Sequence, residues 1–356
     1  MRIPALPGSI GRSIAPYLAA GVAALAPGLA RAQVSIADDP APRFAWRGHV
    51  ANDFLYETET ETDGGDSFEA WHLGLSGDFG GPINESILVG VSGGYRYADY
   101  DWKLDNALGT PPGYGGAELP KDPWGSVHTF DVAPEATILV GRQFAVVGAV
   151  PIRWAGETGA HGNGFIAGVS GLVRWAPIET LSIGAGIGIT SQLEGEAETY
   201  PVVSLDWQVT PALRLATEGS WAMGGRTSLA WGPAEAVQLA LSLGYERVRF
   251  RLDDHGRAPD RNGVAEIRSI PLEGTIRLHL AERVQIELRG GVAFGGRFRI
   301  ERRTGAKLYD QHYDPAPRIG FAITVPLGWT AARADAPRRA PAAGGDPTAP
   351  DAPGAW

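Results

Sequence analysis

Apolar and polar residues alternate along most of the chain beyond residue 43. Leu181, Ile183, Ala185, Ile187 and Ile189 are interleaved with Ser182, Gly184, Gly186, Gly188 and Thr190. Val237, Leu239, Leu241, Leu243 and Tyr245 alternate with Gln238, Ala240, Ser242, Gly244 and Glu246, and Val284, Ile286 and Leu288 with Gln285, Glu287 and Arg289. Successive side chains of a strand point to opposite faces, so each segment has one apolar face and one small or polar face. A helix would need apolar residues three and four apart, a spacing these segments lack. The pattern predicts strands at 44–57, 68–79, 86–102, 125–140, 144–155, 164–175, 181–191, 199–208, 213–222, 226–231, 236–252, 264–280, 284–298 and 316–329. That is about fourteen; the short tenth segment leaves twelve open.

The connections add a second regularity. Every other one is short: Gly80–Glu85, Gly141–Gln143, Ala176–Thr180, Val209–Ala212, Gly232–Glu235 and Ala281–Arg283. Those between them are longer and polar: Thr58–Ser67, Lys103–Trp124, Gly156–Asn163, Gln192–Glu198, Asp253–Gly263 and Arg299–Pro315. Soluble sandwiches have no reason to sort loop lengths by parity, whereas outer-membrane barrels pair tight periplasmic turns with long outer loops. Aromatic residues fall at both strand ends, as interfacial girdles require. Phe79, Trp175, Trp207, Trp231 and Trp329 stand toward the short turns, and Tyr56, Trp102, Trp154, Trp221, Phe250 and Phe298 toward the long loops. The expected fold is therefore all-β, a single antiparallel up-and-down transmembrane barrel. Phe79, Trp102, Trp154, Trp175, Trp207, Trp221, Trp231 and Trp329 are its expected membrane-interface aromatics.

Composition supports this reading and narrows it. The 49 Gly suit a curved, closed sheet. With no Cys, disulfide frameworks, thiolate metal sites and cysteine nucleophiles are excluded. Lys and Arg number 31 against 40 Asp and Glu, so no basic field exists for nucleic acid. Residues 1–32 read as a cleaved secretory signal: Arg2 and Arg12 precede an apolar stretch ending at Ala30-Arg31-Ala32. Cleavage would remove Arg2, Arg12 and Arg31 and no carboxylate, taking the formal charge from -9 to -12. Residues 33–43 read as a periplasmic lead-in, 44–329 as the barrel, and 331–356 as a disordered Ala/Pro-rich tail. The expected location is a bacterial outer membrane, with membrane lipid and, during insertion, the barrel-assembly machinery as partners.

The run from Thr137 to Trp329 resembles a family of uncharacterised bacterial outer-membrane beta-barrel proteins, classed as a domain of unknown function. The residues that carry it are the hairpin segments 136–149 and 172–188 and Tyr200-Pro-Val-Val-Ser-Leu-Asp-Trp. The resemblance implies an outer-membrane location and supplies no catalytic residues.

Candidate chemistry is sparse. The seven His, at 49, 72, 128, 161, 255, 279 and 312, form no paired metal-ligand spacing, and no cofactor is implied. His49 and Asp53 on the first strand and His72 and Ser76 on the second are the one place where Ser, His and Asp could face a common lumen. They motivate the alternative of an outer-membrane hydrolase acting on lipid or peptide. A soluble periplasmic ligand-binding barrel, apolar inside and polar outside, is a further alternative. Charges on the polar face carry more information. Arg96, Asp131, Glu135, Arg153, Arg174, Asp206, Arg214, Glu218, Glu246, Glu273, Arg277, Glu287, Arg289 and Arg318 should point inward, because Arg facing lipid at mid-depth costs ~2–4 kcal/mol. They would line a passive pore for small solutes, or fill the lumen of a structural membrane protein as an ion-pair ladder. The solute itself is not legible.

Overall fold

The alternating segments form sixteen strands in the computed structural model, which describes residues 46–103, 123–220, 224–234, 236–254, 261–280 and 284–328. The expected signal peptide, lead-in and tail, together with Trp221 and Trp329, lie outside the described residues. The strands are β1 Arg47–Glu61, β2 Ser67–Pro82, β3 Ile87–Lys103, β4 Ser126–Val140, β5 Phe144–Ala149, β6 Ile152–Glu157, β7 Phe165–Ile178 and β8 Leu181–Gln192. They continue with β9 Gly195–Thr210, β10 Leu213–Ser220, β11 Gly224–Ala234, β12 Val237–Arg251, β13 Val264–Leu280, β14 Val284–Glu301, β15 Lys307–Tyr313 and β16 Ala316–Gly328.

Two wall strands are each split in two. β5 and β6 both lie between β4 and β7, interrupted at Val150–Pro151, where proline has no N–H for the ladder. β15 and β16 both pair with β14, on either side of Asp314–Pro315. Counted as single staves they make fourteen. Neighbours in sequence pair antiparallel around the circle, and β1 closes on β16 from Arg47↔Gly328 to Glu57↔Arg318.

The outward face carries the apolar set, including Val173, Ile187, Leu241, Ile276 and Ile319, all well exposed. This is the reverse of a soluble ligand-binding barrel, and it overturns that alternative. A belt of exposed aliphatic side chains around a closed sheet belongs in lipid.

Above this belt the wall changes course. Arg251 of β12 pairs in parallel with Gly156 of β6, bypassing β7 to β11. β1 meets β15 through the Thr62↔Tyr313 bridge. Nine strands, β1–β4, β6 and β12–β15, thus enclose a narrower upper section. Residues from the tips of β7 to β9 lie against its outside. Arg249 donates to the Leu193 carbonyl at 2.6 Å, Arg251 to the Asn163 carbonyl at 2.9 Å, and Arg247 to Glu198 at 2.6 Å.

Several expected outer loops are strand instead. β1 runs on to Glu61, β14 to Glu301, and only Leu193 and Glu194 separate β8 from β9, with Glu194 in the left-handed region at φ 54. A strand standing in water on its outer side carries polar residues there, so its composition imitates a loop. Gly295, at φ 58, supplies the bulge that shifts the β13–β14 register between Arg268 and Ile270. Because of that shift, even positions of β14 face outward below the bulge and odd positions above it.

Candidate functional site: a charged lumen under an aromatic cap

The inward face is polar over the depth of the lipid belt, and its charges meet in pairs. Asp131 and Arg153, in register on β4 and β6, are in direct contact. Arg214 holds Asp206 through two hydrogen bonds, at 2.7 and 2.9 Å. Arg277 and its register partner Glu287 lie at 2.7 Å, and Arg277 also reaches Gln238 at 3.0 Å. Arg289 spans the intervening strand to Asp53 at 3.1 Å. It passes over Gly320, where a Cβ would come within 2.9 Å of its Nε.

The centre of the network is Arg318. Its guanidinium donates to Glu273 at 2.6 Å, to both oxygens of Glu246 at 2.8 and 2.9 Å, and to Glu57 at 3.1 Å. Glu273 in turn meets Arg226 of β11 at 2.7 Å. At the depth of the lipid belt the outer face meets only lipid, so contacts there between strands that are not wall neighbours, such as Arg318–Glu246 and Arg289–Asp53, cross the inside of the barrel. These cross-barrel contacts bring together Asp53, Glu246, Glu273, Arg289 and Arg318 of the expected set, with Glu57 and Arg226 beside them. Sequence reasoning missed both, though Glu57 shares the parity of Asp53 and Arg226 pairs in register with Glu218. The side chain of Glu218 lies outside the described residues.

Among the described residues, the inward Arg96 and Arg174 have no carboxylate at contact distance. Arg174 faces Glu135 near the short-turn end. Arg96 is exposed to the lumen, with Asp53, Asp131 and Glu246 as its nearest opposite charges. It borders a cavity of about 180 Å³ lined by Asp53, Ser76, Thr129, Asp131 and Arg153, with Gly224 and Val248 across from them.

Above the cavity the lumen is filled. Phe68, Trp102, Trp124, Phe250, Phe298 and Tyr313 are buried in one cluster drawn from opposite sides of the narrowed section. Ring centroids of Trp124 lie 4.8 Å from Trp102, 5.7 Å from Phe250 and 5.6 Å from Phe298. The expectation that Trp102, Phe250 and Phe298 belong to an outer girdle is corrected here. Their parity is inward, and above the lipid belt the apolar face of the sheet is the inner one. Trp154 does point outward, in a chain of rings with Phe130 and Tyr95. Phe79, Trp175, Trp207 and Trp231 are exposed on the outer face at the short-turn end.

The hydrolase candidates do not assemble. His49 lies on Asp78 at 2.7 Å, His72 is 3.9 Å from Glu57, and Asp53 is held by Arg289. Ser76 lines the cavity without a histidine base. Among the described residues no group of His, Asp and Glu could hold a metal ion.

Fold and inner surface together define a transmembrane β-barrel with a polar, charge-paired interior. No family model matches the chain, nor does any curated protein, so the resemblance drawn from its hairpins goes no further. Solved structures similar to it include an outer-membrane channel from Pseudomonas putida F1, at 8% identity and TM-score 0.42, covering 82% of this chain and 98% of that one. The outer membrane protein Omp33 of Acinetobacter baumannii is similar at 8% identity and TM-score 0.36, covering 80% and 100%. The P. putida toluene transporter TodX is similar at 9% identity and TM-score 0.37, covering 83% and 92%.

Proposed function

We propose that this protein is a passive outer-membrane pore for small polar solutes, with its outer mouth closed by the aromatic cap in the conformation described here. The observation that supports the reading most directly is the cavity beneath the cap, where Arg96, Asp131, Arg153 and Asp53 present both signs of charge to a water-sized space. An interior built only for stability would leave no arginine without a carboxylate contact, because an unpaired charge away from water is costly. Arg96 is exposed to the lumen and offset by Asp53, Asp131 and Glu246 without touching them, an arrangement suited to a space that water enters.

The second reading, a structural barrel with a permanently filled lumen, is favoured by the cap itself. Planar-bilayer recordings separate the two. Wild-type protein should conduct rarely, and Trp124→Ala, which removes the ring at the centre of the cluster, should raise the open fraction severalfold. A folded Trp124→Ala barrel that stays silent would establish the structural reading.

A further inference from the structure

On the outer face of β12 to β15, directly above the lipid belt, four basic side chains stand in one cross-strand row. Arg247 pairs in register with Arg268, Arg268 with Arg297, and Arg297 with His312. One step toward the membrane on the same face lie Ile270 and Phe294, an exposed apolar pair. Two residues along a strand is about 7 Å, so the row sits at the depth of lipid headgroups.

Like charges directly opposite one another destabilise a sheet, and the carboxylates that offset them are placed behind the row. Glu266 accepts from Arg247 at 2.9 Å and contacts Arg268, yet its side chain is only 4% exposed. Asp310 holds Arg297 through two oxygens and is 13% exposed, while Arg297 is 40% exposed and Arg268 32%. The surface offered to the membrane is therefore the guanidinium groups of Arg268 and Arg297, with their carboxylate partners largely covered; Arg247, 9% exposed and held by Glu198 and Glu266, closes the end of the row. Elsewhere on the rim the sign reverses: Glu69 and Asp101 pair in register on β2 and β3. A basic field confined to one sector, on a chain of formal charge -9, is a localised feature.

We infer that the exposed part of this row, Arg268, Arg297 and His312, is a binding site for the phosphate monoesters of an anionic lipid headgroup in the outer leaflet. The planar guanidinium forks of Arg268 and Arg297 suit bidentate contact with phosphate oxygens, and Ile270, Leu272 and Phe294 below them would lie along the acyl chains. The inference rests on the outer-membrane reading, with the short turns in the periplasm.

The test uses full-length protein folded in zwitterionic detergent and native mass spectrometry with lipid A, which carries phosphate monoesters, and with the same lipid dephosphorylated. Heat-modifiable mobility on SDS gels first establishes that the barrel is folded, so failure there counts against the barrel reading and not the site. Wild-type protein should retain lipid A and release the dephosphorylated form. Arg268→Gln/Arg297→Gln should weaken retention at least about tenfold, the ~1.4 kcal/mol of one lost charge-assisted contact. Asp101→Asn, in the acidic sector, should leave retention unchanged. Equal retention of both lipids by the wild type overturns the inference, whether or not the double variant folds, and so does a folded double variant that binds as the wild type does.

Discussion

Arg318 and Glu273 meet at 2.6 Å with each side chain only 1% exposed, although β14 stands between their strands. The contact crosses the inner wall, and Glu57 and Glu246 close around the same guanidinium. One cation thus holds three carboxylates from three strands, and removing it leaves them facing one another with Glu273 buried. Arg318→Met should destabilise the barrel by about 3–5 kcal/mol, read as the urea midpoint of folding into lipid vesicles. Adding Glu273→Gln and Glu246→Gln should restore much of the loss, because the repulsion goes with the charges. A single variant within ~1 kcal/mol of wild type would mean that water reaches the network freely.

Orientation is open to a clean labelling assay because the chain has no cysteine. Ala306 lies in the turn between β14 and β15, and Ala212 in the turn between β9 and β10 at the opposite end. An impermeant thiol reagent on intact cells should modify Ala306→Cys and leave Ala212→Cys untouched. The reverse pattern would invert the barrel and place the basic row in the periplasmic leaflet.

The barrel was legible in the sequence because lipid on one side and polar lumen on the other impose period-2 patterning. Leu181–Ile189 and Val237–Tyr245 show it without interruption. The upper section was not legible for the same reason reversed. Past Glu246 the odd positions of β12 become Arg247, Arg249 and Arg251 while the even ones become Val248 and Phe250. Alternation persists but its sense flips, because the outer face has left the lipid and the inner face has acquired a core. Position along the strand alone points Trp102 to a girdle, whereas its parity sets it with Tyr100 on the inner face. Parity puts Glu246, Glu273 and Arg318 on one face of their strands, but the three-carboxylate cage of Arg318 depends on which distant strands curve together. Sequence spacing does not encode that.

A pH dependence should appear at the outer loops. Asp254 lies 3.1 Å from the exposed ring of His161 and raises its pKa above the ordinary histidine value, chiefly by hydrogen bonding. A group whose folded pKa is raised contributes its stabilisation fully below the unfolded value, and that contribution fades as pH rises through the folded one. The contact tying segment 158–164 to 252–254 should therefore hold under mildly acidic conditions and loosen under alkaline ones. Amide exchange of 158–164, corrected for intrinsic rates, should be slower at about pH 5.5 than at about pH 8.5. His161→Gln should remove the difference. Persistence of the difference in that variant would assign it to another group.

Selectivity offers the sharpest test of whether solutes pass the cavity. Asp53 lines it together with Arg96 and Asp131, and is held from behind by Arg289 at 3.1 Å. In the Trp124→Ala background, Arg289→Gln leaves Asp53 uncompensated and should shift the reversal potential in a salt gradient toward cation preference. Asp53→Asn removes the carboxylate that both Arg289 and Arg96 face and should shift it toward anions. One unit charge at this depth should change the permeability ratio by a few-fold, on the order of 1 kcal/mol at the high effective dielectric of a wet lumen. Opposite shifts from the two variants would show that ions run between Asp53 and Arg96. Conductance that ignores both would mean that ions take a path avoiding the cavity, and the proposed pore would lose its observation.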